Sequence, residues 1–518
     1  MDRWRLLWVD DEIELLRPHV LFLESKGYGV RTASNGQDAV VLVEQEPFDL
    51  ILLDEQMPGW GGLRTLEEIK RRRPGVPVVM VTKSEEEHLM DAAIGAQIAD
   101  YLIKPVNPNQ LLLVCKRLLE RHRLQQERVL FSYRQEFAEL SAAIEEADSF
   151  AAWAELYQRL VRRDLELEHG DEALRQVLEE QRAEANRAFG RFIERVYPEW
   201  VHADSDRRPP MSPDVLRRWV APLLGRGWPV VWFVIDCLRY DQWLVFEELL
   251  QPYFRIQREL YLGILPTATP YARNALFSGL FPADIERRFP DFWRSAEEDE
   301  WSQNRREDAL LEDQLKRLRI GVRARYEKVL SSAEGKSLLQ QASALLQGEL
   351  AAVVVNFLDI LAHSRADSNV LRELLPDERA YRNLTRTWLE HSWLYELLRW
   401  LAEQKVHLVI TTDHGAVRAL RDTKVIGDRD TSTSLRYKYG RNLKCDPKHA
   451  IFVKDPFTYR LPRRGVNTNY ILAKEDYYFV YPTQYHRYQQ QYYDTFQHGG
   501  VSLEEMLLPV AVLEPRGP

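Results

Sequence analysis

Five short apolar runs in this chain stop at an aspartate, and that arrangement restricts its fold more than any other feature. Leu6–Val9 is followed by Asp10-Asp11, Leu50–Leu53 by Asp54, Val230–Ile235 by Asp236, Ala352–Phe357 by Asp359 and Val406–Thr411 by Asp413. Two further runs, Val78–Val81 and Tyr101–Ile103, lead into Thr82 and Lys104-Pro105. Strands that are apolar on both sides and separated by helical patterns predict parallel sheets covered on both faces. Ligands of such open sheets bind outside the carboxyl ends of the strands, so each set of acids converges on one rim. The expected fold class is α/β, with several domains in 518 residues.

Texture divides the chain in three: residues 1–118 and 211–518 carry the strands, and 119–210 carries none. In the middle segment glycine occurs only at Gly170 and Gly190, and apolar residues recur at helical spacing, as in Leu156, Leu160 and Val161 or Phe189, Phe192 and Ile193. It reads as a helical connector or small bundle. Asp204 to Pro210, polar and ending in paired prolines, reads as a linker. The 70 basic and 79 acidic residues leave a net charge of −9, which argues against a surface that coats duplex DNA or anionic membrane. Cys115, Cys237 and Cys445 are too few and too scattered for a disulfide framework or a CxxC metal knuckle. The N-terminal apolar stretch meets acid too early for a signal peptide, and no window of 18 apolar residues exists. A soluble, cytoplasmic protein without membrane insertion is expected.

In the first segment, Asp10, Asp11 and Asp54 would repel one another at the rim unless a divalent cation sat among them, and oxygen-only ligation favours Mg²⁺. One carboxylate beside the ion can attack a phosphoryl donor, Lys104 neutralising the growing charge and Thr82 bonding the phosphoryl oxygens. The ordered set resembles a response-regulator receiver domain over its full length, a (βα)5 fold. The resemblance implies Asp54 as phosphoacceptor, Asp10 and Asp11 as the acidic pair, and Thr82, Tyr101 and Lys104 as switch threonine, switch aromatic and lysine. It also implies that the backbone carbonyl of Gln56 completes the shell of one Mg²⁺, and that a sensor histidine kinase is the partner.

The third segment adds histidines to its aspartates: His363, His414 in Asp413-His414-Gly415, and His498 in Gln497-His498-Gly499-Gly500. Mixed nitrogen and oxygen donors suit Zn²⁺ or Mn²⁺, and six candidates are too many for one tetrahedral zinc but enough for two. Two metals roughly 4 Å apart clamp the attacking and leaving oxygens of a phosphoryl displacement. Pro266-Thr267-Ala268-Thr269-Pro270 precedes a helical stretch from Tyr271 to Ser278, so Thr267 or Thr269 offers a hydroxyl at a helix N-terminus, and Arg273 lies one turn on, in reach of a phosphate. The block 266–282 and the segment 497–505 resemble those of the PglZ domain in the alkaline phosphatase superfamily. The resemblance implies one metal on Asp359, His363 and His498, a second on Asp236, Asp413, His414 and the Thr269 hydroxyl, and Thr269 as nucleophile with Thr267 the weaker alternative. The Cys/Ser-x-Pro-x-Arg motif of the superfamily's sulfatases is absent.

Receiver, helical connector (119–210) and PglZ domain (211–518) together resemble the PorX-like response regulators of type IX secretion. That likeness implies phosphorylation-promoted homodimerisation, zinc-dependent phosphodiesterase activity on linear or cyclic oligonucleotides, and contacts with a sigma factor and the secretion motor. Of the 23 tyrosines, 11 fall between residues 431 and 500, interleaved with basic residues, and Arg436, Tyr437, Lys438 and Arg441 form the candidate substrate contact for stacking on bases and tracking phosphates. Packing of those tyrosines at a sheet edge is the alternative. A non-catalytic, phosphorylation-controlled adaptor is the rival to the enzyme.

Overall fold

The computed structural model describes residues 4–83, 98–167, 172–290, 306–428, 432, 434–463 and 467–516. The chain forms two compact units, Met1–Gln135 and Glu136–Pro518.

Among the described residues, the first unit holds β1 (Arg5–Val9), α1 (Arg17–Ser25), β2 (Gly29–Ala33), α2 (Gly36–Gln45), β3 (Leu50–Asp54), α3 (Gly62–Arg72), β4 (Val78–Thr82) and β5 (Asp100–Ile103), followed by the start of α4 (Pro108–Glu146). The strands are all parallel, in the order β2-β1-β3-β4-β5. Side chains alternate across the sheet: Leu6, Trp8, Leu50, Leu52, Val79 and Val81 join one apolar layer, and Leu7, Val9, Ile51, Leu53, Val78 and Met80 join the other. The β2 run Gly-Val-Arg-Thr-Ala is the edge strand, largely open to solvent, and so lacks the apolar signature of its neighbours. Strand order reverses between β1 and β3, and that switch point sets Asp10 beside Asp54.

In the second unit, β6 (Val230–Ile235), β8 (Ala324–Val329), β9 (Leu350–Val355) and β10 (His407–Thr411) are parallel, with every residue of β6, β9 and β10 buried. Small sheets pair β11 (Val417–Ala419) with β17 (Thr495–Gln497), β12 (Arg421–Lys424) with β16 (Tyr477–Val480), and β15 (Asn469–Ala473) with β13 (Tyr437–Gly440) and β14 (Ala450–Val453). The main sheet, ordered β7-β18-β10-β6-β9-β8, is completed by β7 (Phe254–Leu262) and the antiparallel β18 (Leu507–Pro515). Ile235 pairs with Val355 and Val234 with Thr411, so the acid-bearing ends of β6, β9 and β10 lie level. β9 ends two residues before the expected Phe357, because the chain turns at Asn356 into a helix, Phe357–Asp367. Asp359 therefore stands on the first turn of that helix instead of at the strand end.

The helices α5 (Phe150–Glu166) and α6 (Glu172–Trp200) belong to this second unit. Trp153, Leu156, Tyr157 and Leu160 of α5 and Phe189, Phe192 and Ile193 of α6 are buried, and polar residues of both helices enter a buried ionic joint. Arg182 donates to Glu504 at 2.8 Å and to Glu378 at 3.0 Å, Asn186 donates to Glu504 at 3.0 Å, and Glu378 also accepts from Arg239 at 3.0 Å. Arg382 reaches Asp164 on α5 at 2.7 Å. The stretch Asp204 to Pro210 has no helix or strand, as expected of a linker, yet Arg208 within it is packed and ion-paired to Asp214. No helix among the described residues is long and apolar enough to cross a membrane.

A Cβ on Gly62 would lie 2.5 Å from the carbonyl oxygen of Asp54 and 2.6 Å from Glu55 Cα, both backbone atoms that cannot step aside. Gly62→Ala should destabilise the first unit by about 1–3 kcal/mol, read as a lower melting temperature of its calorimetric transition.

Candidate metal centres

At the rim of the first sheet, Asp10 and Asp54 have almost fully buried carboxylates, and Lys104 Nζ stands 2.8 Å from Asp10 Oδ2 and 3.0 Å from Asp54 Oδ1. Asp10, Asp11 and Asp54 each offer an oxygen, all within 4.8 Å of one another, which is a compact site for a hard divalent cation. Burial pushes the Asp54 carboxyl up to about 6; Lys104 opposes that rise, and Asp10 and Asp11 add to it. Thr82 lies at the end of β4, where its hydroxyl donates to the Glu55 carboxylate rather than to Asp54. Tyr101 on β5 is 44% exposed, and Gln56 sits in the exposed loop after β3. Glu55 was not marked by the sequence pattern, although its place between Asp54 and Gln56 was the available signal.

The second rim gathers a denser set. Asp236 follows β6, Asp413 and His414 follow β10, Asp359 stands on the helix after β9, and His498 follows β17. Asp359 Oδ1 is 3.3 Å from His363 Nε2 and 3.5 Å from His498 Nε2, and the two imidazole nitrogens are 3.0 Å apart. His414 Nε2 is 3.5 Å from Asp236 Oδ1 and 3.8 Å from Asp413 Oδ2. Two ligand groups result, Asp359 with His363 and His498, and Asp236 with Asp359 and His414, so Asp359 stands in both. Asp413 Oδ1 accepts from the backbone N–H of His414 at 3.1 Å. Asp236 Oδ1, Asp359 Oδ1 and Asp413 Oδ2 are buried without a hydrogen-bond partner, the state expected of oxygens kept for a metal.

Charge at this rim is finely balanced. Burial raises the Asp236 carboxyl well above the usual range; Arg273 opposes this, while Asp413 and Asp359 reinforce it. Burial would also raise Asp359, but His363, His498 and His414 together draw it below the usual range. His498 is held neutral, first by burial and then by His414 and His363, and a neutral imidazole is the form that ligates. His414 Nδ1 lies 3.1 Å from the carbonyl of Gly415, which turns Nε2 toward the site. A Cβ at Gly415 would meet the Glu504 carbonyl at 1.9 Å, so only glycine lets the His414 loop lie against that strand of chain.

α7 (Tyr240–Leu250) leads away from the Asp236 loop, and α8 begins at Thr269 rather than at Tyr271, spanning Thr269–Ser278 behind the extended Ala268. The Thr269 hydroxyl is 3.0 Å from His414 Nε2. Thr267 is fully buried and occupied elsewhere: its hydroxyl donates to the Gly500 carbonyl at 2.8 Å and accepts from the Gly499 N–H at 3.1 Å, latching the histidine block. Asn356, which the sequence reading passed over, donates to Asp236 Oδ2 at 2.8 Å. A polar residue closing the apolar run of β9 was the signal for it.

Four expected substrate contacts are corrected or reduced. Arg273 is only 2% exposed and spent on Asp236 and Glu307, so it does not face an incoming phosphate. Arg436 is buried on Glu505 and on the carbonyls of Lys474 and Tyr477. Tyr437 packs edge-on against Tyr271, and Lys438 donates to the Ser432 carbonyl at 2.9 Å over the Tyr481 ring. Tyr437 and Lys438 leave opposite faces of β13, which pairs with β15, and both faces are covered there. Arg441 alone of that stretch stays at the surface, 3.6 Å from Asp428.

Two outcomes follow from these geometries. A divalent metal at 100 times its dissociation constant should stabilise the second unit by about 2.7 kcal/mol, seen as a raised melting temperature that Asp359→Asn abolishes. In chelator, Asp54→Asn should raise the first unit's melting temperature at pH 7. A carboxyl raised to about 6 destabilises the fold once ionised, so the gain should shrink as pH falls through 6 toward 4.

Sequence comparisons agree with this division of chemistry. The response regulator receiver domain matches residues 6–116, the PorX response regulator linker domain 123–201, and the BREX system PglZ alkaline phosphatase-like domain 215–513. The transcriptional regulatory protein ResD of Bacillus subtilis (strain 168) is 34% identical over 117 residues, covering 23% of this chain and 48% of ResD. The transcriptional regulatory protein BaeR of Escherichia coli O6:H1 is 36% identical over 151 residues, covering 29% of this chain and 60% of BaeR. The chain thus spans about half the length of these relatives. A solved CheY-like receiver domain protein from Methanospirillum hungatei JF-1 is 32% identical, covering 24% of this chain and 98% of that one, with a TM-score of 0.23. The chain is an α/β multidomain response regulator of PorX-like composition, and it belongs to the family of the PglZ alkaline phosphatase-like domain.

Proposed function

We propose that this response regulator is phosphorylated on Asp54 by a sensor histidine kinase and that its output domain is a zinc-dependent phosphodiesterase attacking through Thr269. The observation that carries the reading is the second rim, where three buried aspartates each keep one oxygen without a hydrogen-bond partner beside His363, His414 and His498. The donor set fits two zinc ions: Asp359, His363 and His498 would hold one, and Asp236, His414 and Asp413 the other. Zinc, when bound there, supplies Lewis acidity that lowers the pKa of a nearby hydroxyl and stabilises charge on the phosphoryl oxygens.

The chain's own residues do the rest. Thr269, at the first position of α8, presents its hydroxyl at the positive end of the helix dipole, which favours a phosphate there. His414 Nε2 lies against the same oxygen. Attack by Thr269 Oγ1 forms a bond to phosphorus as one ester bond breaks and an alcohol leaves, taking up the proton that the threonine loses; water then cleaves the bond from Thr269 to phosphorus, releasing the second fragment as a phosphomonoester and restoring the hydroxyl. His363, with 47% of its side chain exposed among otherwise buried ligands, marks the side open to substrate. On the receiver rim, Asp10 and Asp11 would hold one Mg²⁺ with Asp54 and the Gln56 carbonyl, while Lys104 neutralises the phosphoryl group and Thr82 and Tyr101 respond to it. Phosphorylation-promoted homodimerisation, a cytoplasmic setting, type IX secretion partners including a sigma factor and the motor, and linear or cyclic oligonucleotide substrates belong to the same reading.

Purified protein with Zn²⁺ should hydrolyse a chromogenic phosphodiester, with turnover lost in chelator and reduced by about 10³-fold or more in Thr269→Ala. Linear and cyclic dinucleotides run beside it identify the substrate. Zinc-loaded protein without turnover would instead support the adaptor.

A further inference from the structure

Arg273 looks at first like the phosphate clamp of this site, one helical turn beyond Thr269 on α8. Its bonds assign it elsewhere. Nη1 donates to Asp236 Oδ2 at 2.6 Å and lies 3.8 Å from Asp413 Oδ2, and Nε donates to Glu307 Oε1 at 2.6 Å. Glu307 begins the helix α9 (Glu307–Arg317), and its second oxygen accepts from the Tyr326 hydroxyl and from Lys328 Nζ at 3.2 Å. Arg273, Asp236 and Glu307 expose 2%, 1% and 1% of their side chains. Swinging the guanidinium onto a substrate would leave the buried Asp236 without its fixed cation and Glu307 with Lys328 alone, a change strongly opposed in a site of low polarity.

The same bonds determine what Asp236 can do. With Arg273 and Asn356 both donating to Oδ2, that oxygen is filled, and only Oδ1 is left, 3.5 Å from His414 Nε2 and without a hydrogen-bond partner. Thr269 and Arg273 are four residues apart on one helix, so they share a face, and the link from Arg273 to Asp236 also fixes where Thr269 stands. We infer that Arg273 and Glu307 are positioning residues: Arg273 presents Asp236 through a single oxygen to the metal and ties the nucleophile's helix to that ligand, and Glu307 holds Arg273 in place. Substrate phosphate is then bound by other groups. The inference rests on the metal-dependent reading of the site and assigns residues outside its ligand set.

The test is zinc affinity, measured by competition with a chromogenic chelator, on wild type, Arg273→Gln, Arg273→Lys and Glu307→Gln, with kinetics at saturating zinc beside it. Arg273→Gln should loosen one of the two zinc equivalents by about 10–100-fold while KM moves by less than about threefold. Arg273→Lys, which keeps the charge without the two-pronged donor, should recover part of the loss. Glu307→Gln, which contacts neither ligand nor substrate, should loosen the same equivalent in the same direction. Unchanged zinc affinity with a KM raised about tenfold in Arg273→Gln, and a silent Glu307→Gln, would make Arg273 the phosphate clamp and overturn the inference. A lowered melting temperature with zinc affinity intact would make the chain of bonds mere packing, and would overturn it too. Wild type that binds no zinc would sink the metal reading and this inference together, whereas zinc binding without turnover would sink only the enzyme, since affinity still tests the positioning.

Discussion

Carboxylates brought together out of water repel strongly, and both rims of this protein are answers to that repulsion. Two unit charges 4 Å apart interact with about 4 kcal/mol at an effective dielectric constant of 20. In the first unit, Lys104 stands between Asp10 and Asp54. In the second, Arg273 stands against Asp236 and near Asp413, while His363 and His498 attend Asp359. Among the described residues, one fixed cation against three buried aspartates leaves the second rim short of positive charge, which suits the divalent ions proposed for it better than a finished ion-pair cluster would.

Fold and site were legible in the sequence wherever a strand is buried on both faces. β3, β6, β9 and β10 are continuous apolar runs, so their ends, and the acids there, could be read almost to the residue. β2 and β7 could not, because exposed edge strands mix polar and apolar residues and lose the signal. The misreadings share one cause. Arg436 beside a tyrosine looks the same whether it meets nucleic acid or Glu505, and the partner lies 69 residues away. Arg273 likewise meets Asp236 and Glu307 only through the fold. Local sequence announces a charged group, but long-range pairing decides whether solvent ever sees it.

The two threonines before α8 show how finely the fold divides labour between like residues. Thr267 takes both sides of the turn at Gly499 and Gly500, and so holds the loop that delivers His498. Thr269, two residues on, is the one whose oxygen meets His414. Pro270 between helix start and body costs no hydrogen bond, since the first turn has no acceptor for its missing N–H.

The ionic joint of α5 and α6 bears on how such proteins can be assembled from parts. Arg182 and Asn186 satisfy Glu504, whose carbonyl abuts Gly415, and Arg182 shares Glu378 with Arg239, three residues beyond Asp236. Cutting the chain at residue 211 would strip those partners and strand acidic groups beside the loops that carry Asp236, His414 and His498. The portable cassette is therefore longer than the PglZ-like fold itself. Because Glu136 pairs with Arg159 and Arg163, and Gln181 donates to Phe137 and Ser141, a gene fusion that swaps the front end keeps this joint only if its junction lies ahead of Glu136.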